Sequence, residues 1–143
     1  MGKKGFIFLP GGFNSVIEEL SKKYRIYAPV LKDKEGRFTD TDVVRYDFVN
    51  EVADIELEKK SDYSFKEILT PLSQTLFFFT ENDVKEANVD EREVLVFLRS
   101  CDLNALKRLD QIYLKNGREE DYFYASIRDK VKFVIMGCAH SYE

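Results

Sequence analysis

The stretch "EVLVFLRSCDLNALKRLDQIYLKNG", residues 93–117, followed by "KVKFVIMGC", residues 130–138, decides the fold. Six residues from 93 to 98 are rich in Val, Leu and Phe and read as a buried strand. From 102 the apolar residues recur at helical spacing up to Gly117, which is expected to close a helix. A short helix over 121–128 and a second strand over the "KVKFVIM" run follow. Strand, helix and strand this close together make a βαβ unit with parallel strands.

The two cysteines of the chain sit at equivalent places in this unit. Cys101 follows the first strand and Cys138 the second. If the strands are neighbours, about 4.8 Å apart, both thiols emerge at one carboxyl edge of the sheet. Ligands of open α/β sheets generally bind at that edge. Cys101 also begins a helix, for which Ser100 or Asp102 is the expected N-cap. The positive end of that helix favours thiolate, the form that binds iron or zinc. Asp102 can cap the helix, the commoner role, or ligate a metal through oxygen, and from spacing alone two buried free cysteines with no function are the more ordinary outcome.

Upstream, "SVIEELSKKY" reads as a helix with Ser15 and Glu18 at capping-box spacing. "RIYAPV" alternates like a strand, with Pro29 confining it to an edge or an end. A polar turn holding Gly36 leads to "DVVRYDFV", so a hairpin is expected. "DIELEK" is a further β candidate, with a helical turn over 50–53 before it. Ser64 and Glu67 repeat the capping-box spacing ahead of a short helix that Pro71 stops. "SQTLFFFT" reads as a buried strand, with Phe77, Phe78 and Phe79 in the core. "ENDVKEANVDE" reads as a charged, partly helical connector. The fold class is therefore α/β: a mixed α+β N-terminal part with a C-terminal βαβ unit on a mixed sheet.

Length and charge narrow the function. The chain of 143 residues suits one domain spanning 1–143, with 44% hydrophobic and 34% charged residues. A net charge of −4 leaves no electrostatic footprint for nucleic acid. No run is long enough to cross a bilayer, and the apolar run before Pro10 is too short for a signal peptide. Two cysteines make no disulfide framework, so a reducing cytoplasm is expected. His140, the single histidine, reads as a solvated residue near the chain's end rather than a ligand. Arg99, Lys107 and Arg108 flank the Cys-Asp step. They read as a solvated face, or as the anion clamp of a small nucleotide-binding enzyme that lacks a phosphate loop.

Three stretches, "SDYSFKEILTPLSQTLFFFTE" (61–81), "RSCDLNALKRLDQIYL" (99–114) and "KVKFVIMGC" (130–138), resemble the A subunit of bacterial anaerobic sulfite reductase. They are more distantly similar to the β subunits of sulfhydrogenases. The Cys-Asp-Leu-x-Ala step with the following Leu-Asp carries most of the likeness. The resemblance implies an iron–sulfur electron carrier. Its partners would be a flavin-bearing, NADH-oxidising subunit and a sirohaem-bearing subunit that reduces sulfite to sulfide. It also implies ferredoxin-type [4Fe–4S] clusters held by cysteine runs beyond "GCAHSYE", so the chain is expected to be the N-terminal portion of a longer subunit. By itself it would bind no such cluster and turn nothing over. Cys101, Cys138 and Asp102 are the candidate partial ligands of an additional cluster. The alternative is a cofactor-free subunit-docking module with structural cysteines.

Overall fold

The computed structural model describes residues 5, 7, 9, 11–73, 75, 77–86 and 92–138. Helix α1 (Gly12–Ser21) leads into β1 (Tyr24–Lys32) and β2 (Val43–Val49). Single 3-10 turns at Val52–Asp54 and Phe65–Ile68 precede a short ribbon, β3 (Phe77–Phe79) with β4 (Val84–Glu86). The βαβ segment then runs as β5 (Glu93–Arg99), α2 (Ser100–Lys115), α3 (Tyr122–Lys130) and β6 (Val131–Met136).

Four strands form one mixed sheet in the order β2-β1-β5-β6. β1 and β2 are antiparallel, as the polar turn between them implied, and β1, β5 and β6 are mutually parallel. Alternation along the strands divides the core in two. Tyr27, Val96, Leu98 and Val131 face one side with Tyr46, Phe65, Leu106 and Tyr124. Ile26, Ala28, Leu95, Phe97 and Met136 face the other with Ile17 of α1 and Ile55. A sheet buried on both faces explains why β5 reads as a continuous apolar run. The α/β fold class and its parallel C-terminal unit are as the sequence implied.

Pro29 lies in β1, which has a neighbour on each side, yet no ladder bond is lost. β5 pairs only with Tyr24 to Tyr27, so beyond that point the side carrying the proline nitrogen is open. The N–H of Glu56 closes it by donating to the Pro29 carbonyl at 2.7 Å. Gly36 sits where the β1–β2 loop folds tightly, its N–H donating to Thr41 O at 2.9 Å. A Cβ there would meet the Thr41 side chain and stand 2.7 Å from the Thr39 carbonyl. Gly36→Ala is expected to lower stability by about 1–2 kcal/mol in urea titrations, because the loop must move to admit the methyl.

An ion pair staples the same hairpin. Lys32 Nζ donates to Asp47 Oδ2 at 2.6 Å. This bond, helped by the Phe48 N–H and opposed by partial burial, holds the Asp47 carboxyl below its ordinary range. A depressed carboxyl stabilises the fold fully above the unfolded-state pKa, and the contribution disappears as pH falls through the folded-state value. Asp47→Asn is expected to cost less than about 1 kcal/mol at pH 7, because the pair is half exposed and screened. It should also flatten the loss of stability below about pH 4, which urea titrations at pH 7 and pH 3 would reveal.

Several expectations are corrected. α1 starts a turn before Ser15. Gly11 is its N-cap with φ at 84°, so Ser15 lies inside the helix and caps nothing. "DIELEK" is no strand, since its backbone donors are taken by a side chain. The Glu56 carboxylate accepts from the N–H groups of Glu58 and Lys59, at 2.8 and 2.9 Å. Phe77, Phe78 and Phe79 are not core. They are 52%, 62% and 74% exposed, because the β3–β4 ribbon does not join the main sheet. Val84–Glu86 of the supposed connector is a strand, and its next residues lie outside those described. Ser64 does cap a turn, accepting from Lys66 N–H at 3.3 Å, but Glu67 turns away to pair with Arg45 at 3.7 Å.

Candidate functional site: the carboxyl rim of β5 and β6

β5 and β6 are parallel neighbours with Arg99 opposite Met136. Each cysteine follows two residues later, so both occupy one rim of the sheet, as the βαβ reading required. Both are exposed free thiols. The neighbours of the two thiols differ. Cys138 Sγ accepts from Arg99 Nη1 at 3.4 Å. Cys101 lies in the first turn of α2, on the side of the rim where Tyr46 meets Asp102.

Arg99, read from the sequence as part of a solvated face or of an anion clamp, is buried instead. It is 3% exposed and is the helix's N-cap residue. Its Nη2 donates to the carbonyls of Leu57 and Lys59, at 2.9 and 2.8 Å. One guanidinium therefore ties the 55–60 loop to the rim and holds the sulfur of Cys138. Arginine suits this role because its planar fork presents several fixed donors at once. The one sequence signal was a cation ending an apolar strand without a break. Lys107 and Arg108 are exposed on α2, the solvated face that was expected, whereas Arg99 is buried.

Asp102 is the third residue of α2 rather than its N-cap. Its Oδ2 accepts from the Arg99 N–H at 3.3 Å, which is the returning half of a capping box. Ser100 is likewise inside the helix. Burial pushes the Tyr46 phenol above its ordinary range. The neighbouring Asp102 carboxylate, which also hydrogen-bonds it, pushes further, while Arg99 pulls the other way. Tyr46 was missed because it comes from β2, more than fifty residues earlier.

Asp110, the aspartate of the Leu-Asp pair in "KRLD", has a structural task. It accepts from Tyr124 Oη at 2.7 Å and from Arg128 Nε at 3.0 Å. This locks α3 against α2, with Tyr113 and Tyr124 stacked at 4.7 Å. Part of the motif that suggested a family thus specifies the packing behind the rim.

An iron–sulfur cluster of ferredoxin type takes four thiolates. Among the described residues no group of three or more His, Cys, Asp and Glu is placed to hold a metal. The rim has two thiols and a carboxylate already engaged in capping, so these residues alone do not fit a complete cluster. His140 lies outside the described residues. Among the described residues no helix is long and apolar enough to cross a membrane.

No family model matches the chain, and no solved structure gives a significant match. Over 132 residues it is 28% identical to sulfhydrogenase 2 subunit beta of Pyrococcus furiosus. That match covers 88% of this chain and 35% of the relative, so the chain spans about a third of that protein's length. The chain is a distant relative of a redox-enzyme subunit. This agrees with the more distant of the two resemblances read from the sequence.

Proposed function

We propose that this α/β domain serves in the electron-transfer subunit of a multisubunit oxidoreductase, where it docks partner subunits and positions iron–sulfur clusters. The observation that carries the reading is the similarity to a sulfhydrogenase β subunit along 88% of the chain. The finer form of the proposal is a sulfite reductase complex of the cytoplasm. Its flavin subunit would take electrons from NADH, and its sirohaem subunit would reduce sulfite to sulfide. The resemblance of the 61–81, 99–114 and 130–138 stretches supports that form. In this reading the domain is the N-terminal part of a longer subunit. Cys101 and Cys138 are partial ligands of an additional cluster whose other ligands come from outside the described residues. Asp102 sits beside them as helix cap or oxygen donor.

A second reading, a cofactor-free docking module, is favoured by one specific contact. Cys138 Sγ is engaged by Arg99, which also organises the 55–60 loop, so a structural thiol accounts for its geometry. Mutation separates the two readings. In the complex isolated under anaerobic conditions, Cys101→Ser is expected to lower the iron count and alter the paramagnetic spectrum while partner subunits stay bound. Unchanged iron with unchanged partners would favour the docking module.

The exposed phenylalanines bear on docking in either reading. Phe78→Ser with Phe79→Ser is expected to leave the urea midpoint of the isolated chain nearly unmoved, because both rings are solvated already. The same change should weaken co-purification of partner subunits. Full retention of those subunits would exclude the ribbon as a docking element.

A further inference from the structure

The β3–β4 ribbon has one apolar face. In its antiparallel register Phe77 lies opposite Glu86 and Phe79 opposite Val84, whereas Phe78 lies opposite Lys85. Side chains alternate along a strand and cross-strand partners share a face. Phe77, Phe79 and Val84 therefore stand together on one side, and Phe78 stands on the other. The rings of Phe77 and Phe79 are 6.2 Å apart between centroids, and all three apolar side chains are exposed. A two-stranded ribbon is marginal in water unless its apolar face packs on something.

A cavity of about 370 Å³ lies at the amino ends of the parallel strands, the end of the sheet away from the thiols. Ile68, Pro71, Val94, Ile127 and Val131 supply its apolar lining. The chain leaves this cavity to make the ribbon and then returns to it. Pro71 precedes Phe77 by six positions, and Arg92, another lining residue, follows Glu86 by six. Six residues reach at most about 22 Å, so the ribbon stays within a short swing of the cavity. An apolar cavity of about 150 Å³ already accepts a benzene ring, so this one has room for two.

We propose that the β3–β4 ribbon is a lid for this cavity, closing so that Phe77 and Phe79 enter it and pack on Ile68, Val94 and Ile127. The structure shows the lid open. The chain's own ribbon is favoured over that of a second copy, because two short tethers hold it at an effective concentration on the order of millimolar. Burying two half-solvated rings and ordering the residues that join them to the body are free energies of like size and opposite sign. Open and closed positions are therefore about equally populated. Two such positions change the unfolding free energy by less than the scatter of surface substitutions, in keeping with the small effect expected of serine at 78 and 79. The open lid presents the aromatic face for docking, and the closed lid withdraws it. The lid stands whether or not the electron-transfer reading holds.

The chain has no tryptophan, so one introduced in the ribbon reports alone. In Phe79→Trp about half of the emission is expected to resist quenching by acrylamide, at a shorter wavelength than the rest. In Phe78→Trp, on the opposite face, nearly all of it should be quenched. Adding Ile127→Glu, which puts a charge in the cavity, should make Phe79→Trp as quenchable as Phe78→Trp. The unmutated, isotopically labelled chain supplies a check that no substitution can disturb. Nuclear Overhauser contacts are expected from the Phe77 and Phe79 rings to the methyl groups of Ile68, Val94 and Ile127, unchanged on tenfold dilution. Three results would overturn the proposal: equal quenching at 78 and 79, protection at 79 that survives Ile127→Glu, or an absence of ring-to-methyl contacts in the unmutated chain. Contacts that vanish on dilution would assign the cavity to a second copy and would overturn the lid as well.

Discussion

Arg99→Ala is expected to destabilise the protein by about 3 kcal/mol. The guanidinium is 3% exposed and donates to two main-chain carbonyls of the 55–60 loop and to the sulfur of Cys138. Removing it leaves the Leu57 and Lys59 carbonyls without that donor and opens a void under the loop. Arg99→Met refills part of the volume but supplies no donor, so its cost should fall between those of wild type and the alanine variant. Arg99→Lys restores the charge without the fork and should not recover full stability. Alkylation of Cys138 by iodoacetamide should slow in the alanine and methionine variants, because the attacking thiolate loses the guanidinium that donates to it. An alanine variant within 0.5 kcal/mol of wild type (about the scatter of neutral surface changes) with unaltered alkylation would show that the clasp contributes nothing.

Phe65→Ala should cost more, about 4 kcal/mol. Phe65 is wholly buried in the core beneath α2 and α3, packed with Leu69, Leu98 and Leu106. Its ring meets Tyr46 edge-on at 6.3 Å between centroids. Deleting it leaves a ring-sized hole between the 3-10 turn and the sheet, and Tyr46 loses the contact that orients it toward Asp102. Urea denaturation would measure the loss. The contrast with Phe78→Ser and Phe79→Ser is informative, since those aromatic residues lie thirteen and fourteen positions further along and should change stability very little. Equal costs at Phe65 and at the ribbon would mean that the ribbon is buried in solution.

What could be read from the sequence was the βαβ unit. β5 is a continuous apolar run because both faces of the sheet are covered there, and α2 carries a clear helical period. Parallel pairing of β5 and β6 places both thiols at one rim, and the order of the elements alone implies it. Features that depend on contacts between distant segments were not legible. Residues 77–79 have the composition of a buried strand, and nothing local shows that their ribbon stays off the sheet. "DIELEK" alternates with period two, but the Glu56 carboxylate satisfies the donors that a strand would have used. Arg99 looked like one more surface cation because its partners lie forty residues earlier and at Cys138. The capping misreadings at Ser15, Ser100 and Asp102 share one cause. The spacing was right, but the helix began elsewhere, at a left-handed glycine in one case and at a buried arginine in the other.

The central claim is that this domain works inside an iron–sulfur electron-transfer assembly through the rim that bears Cys101 and Cys138. Affinity isolation of the native complex through this chain, under anaerobic conditions, with iron quantified in wild type and in a Cys101→Ser, Cys138→Ser variant, tests it most directly. The account expects flavin- and sirohaem-bearing partners in both preparations and a loss of iron, with a changed paramagnetic signal, in the double variant. An iron-free chain without partners, or identical iron in the two preparations, would contradict it.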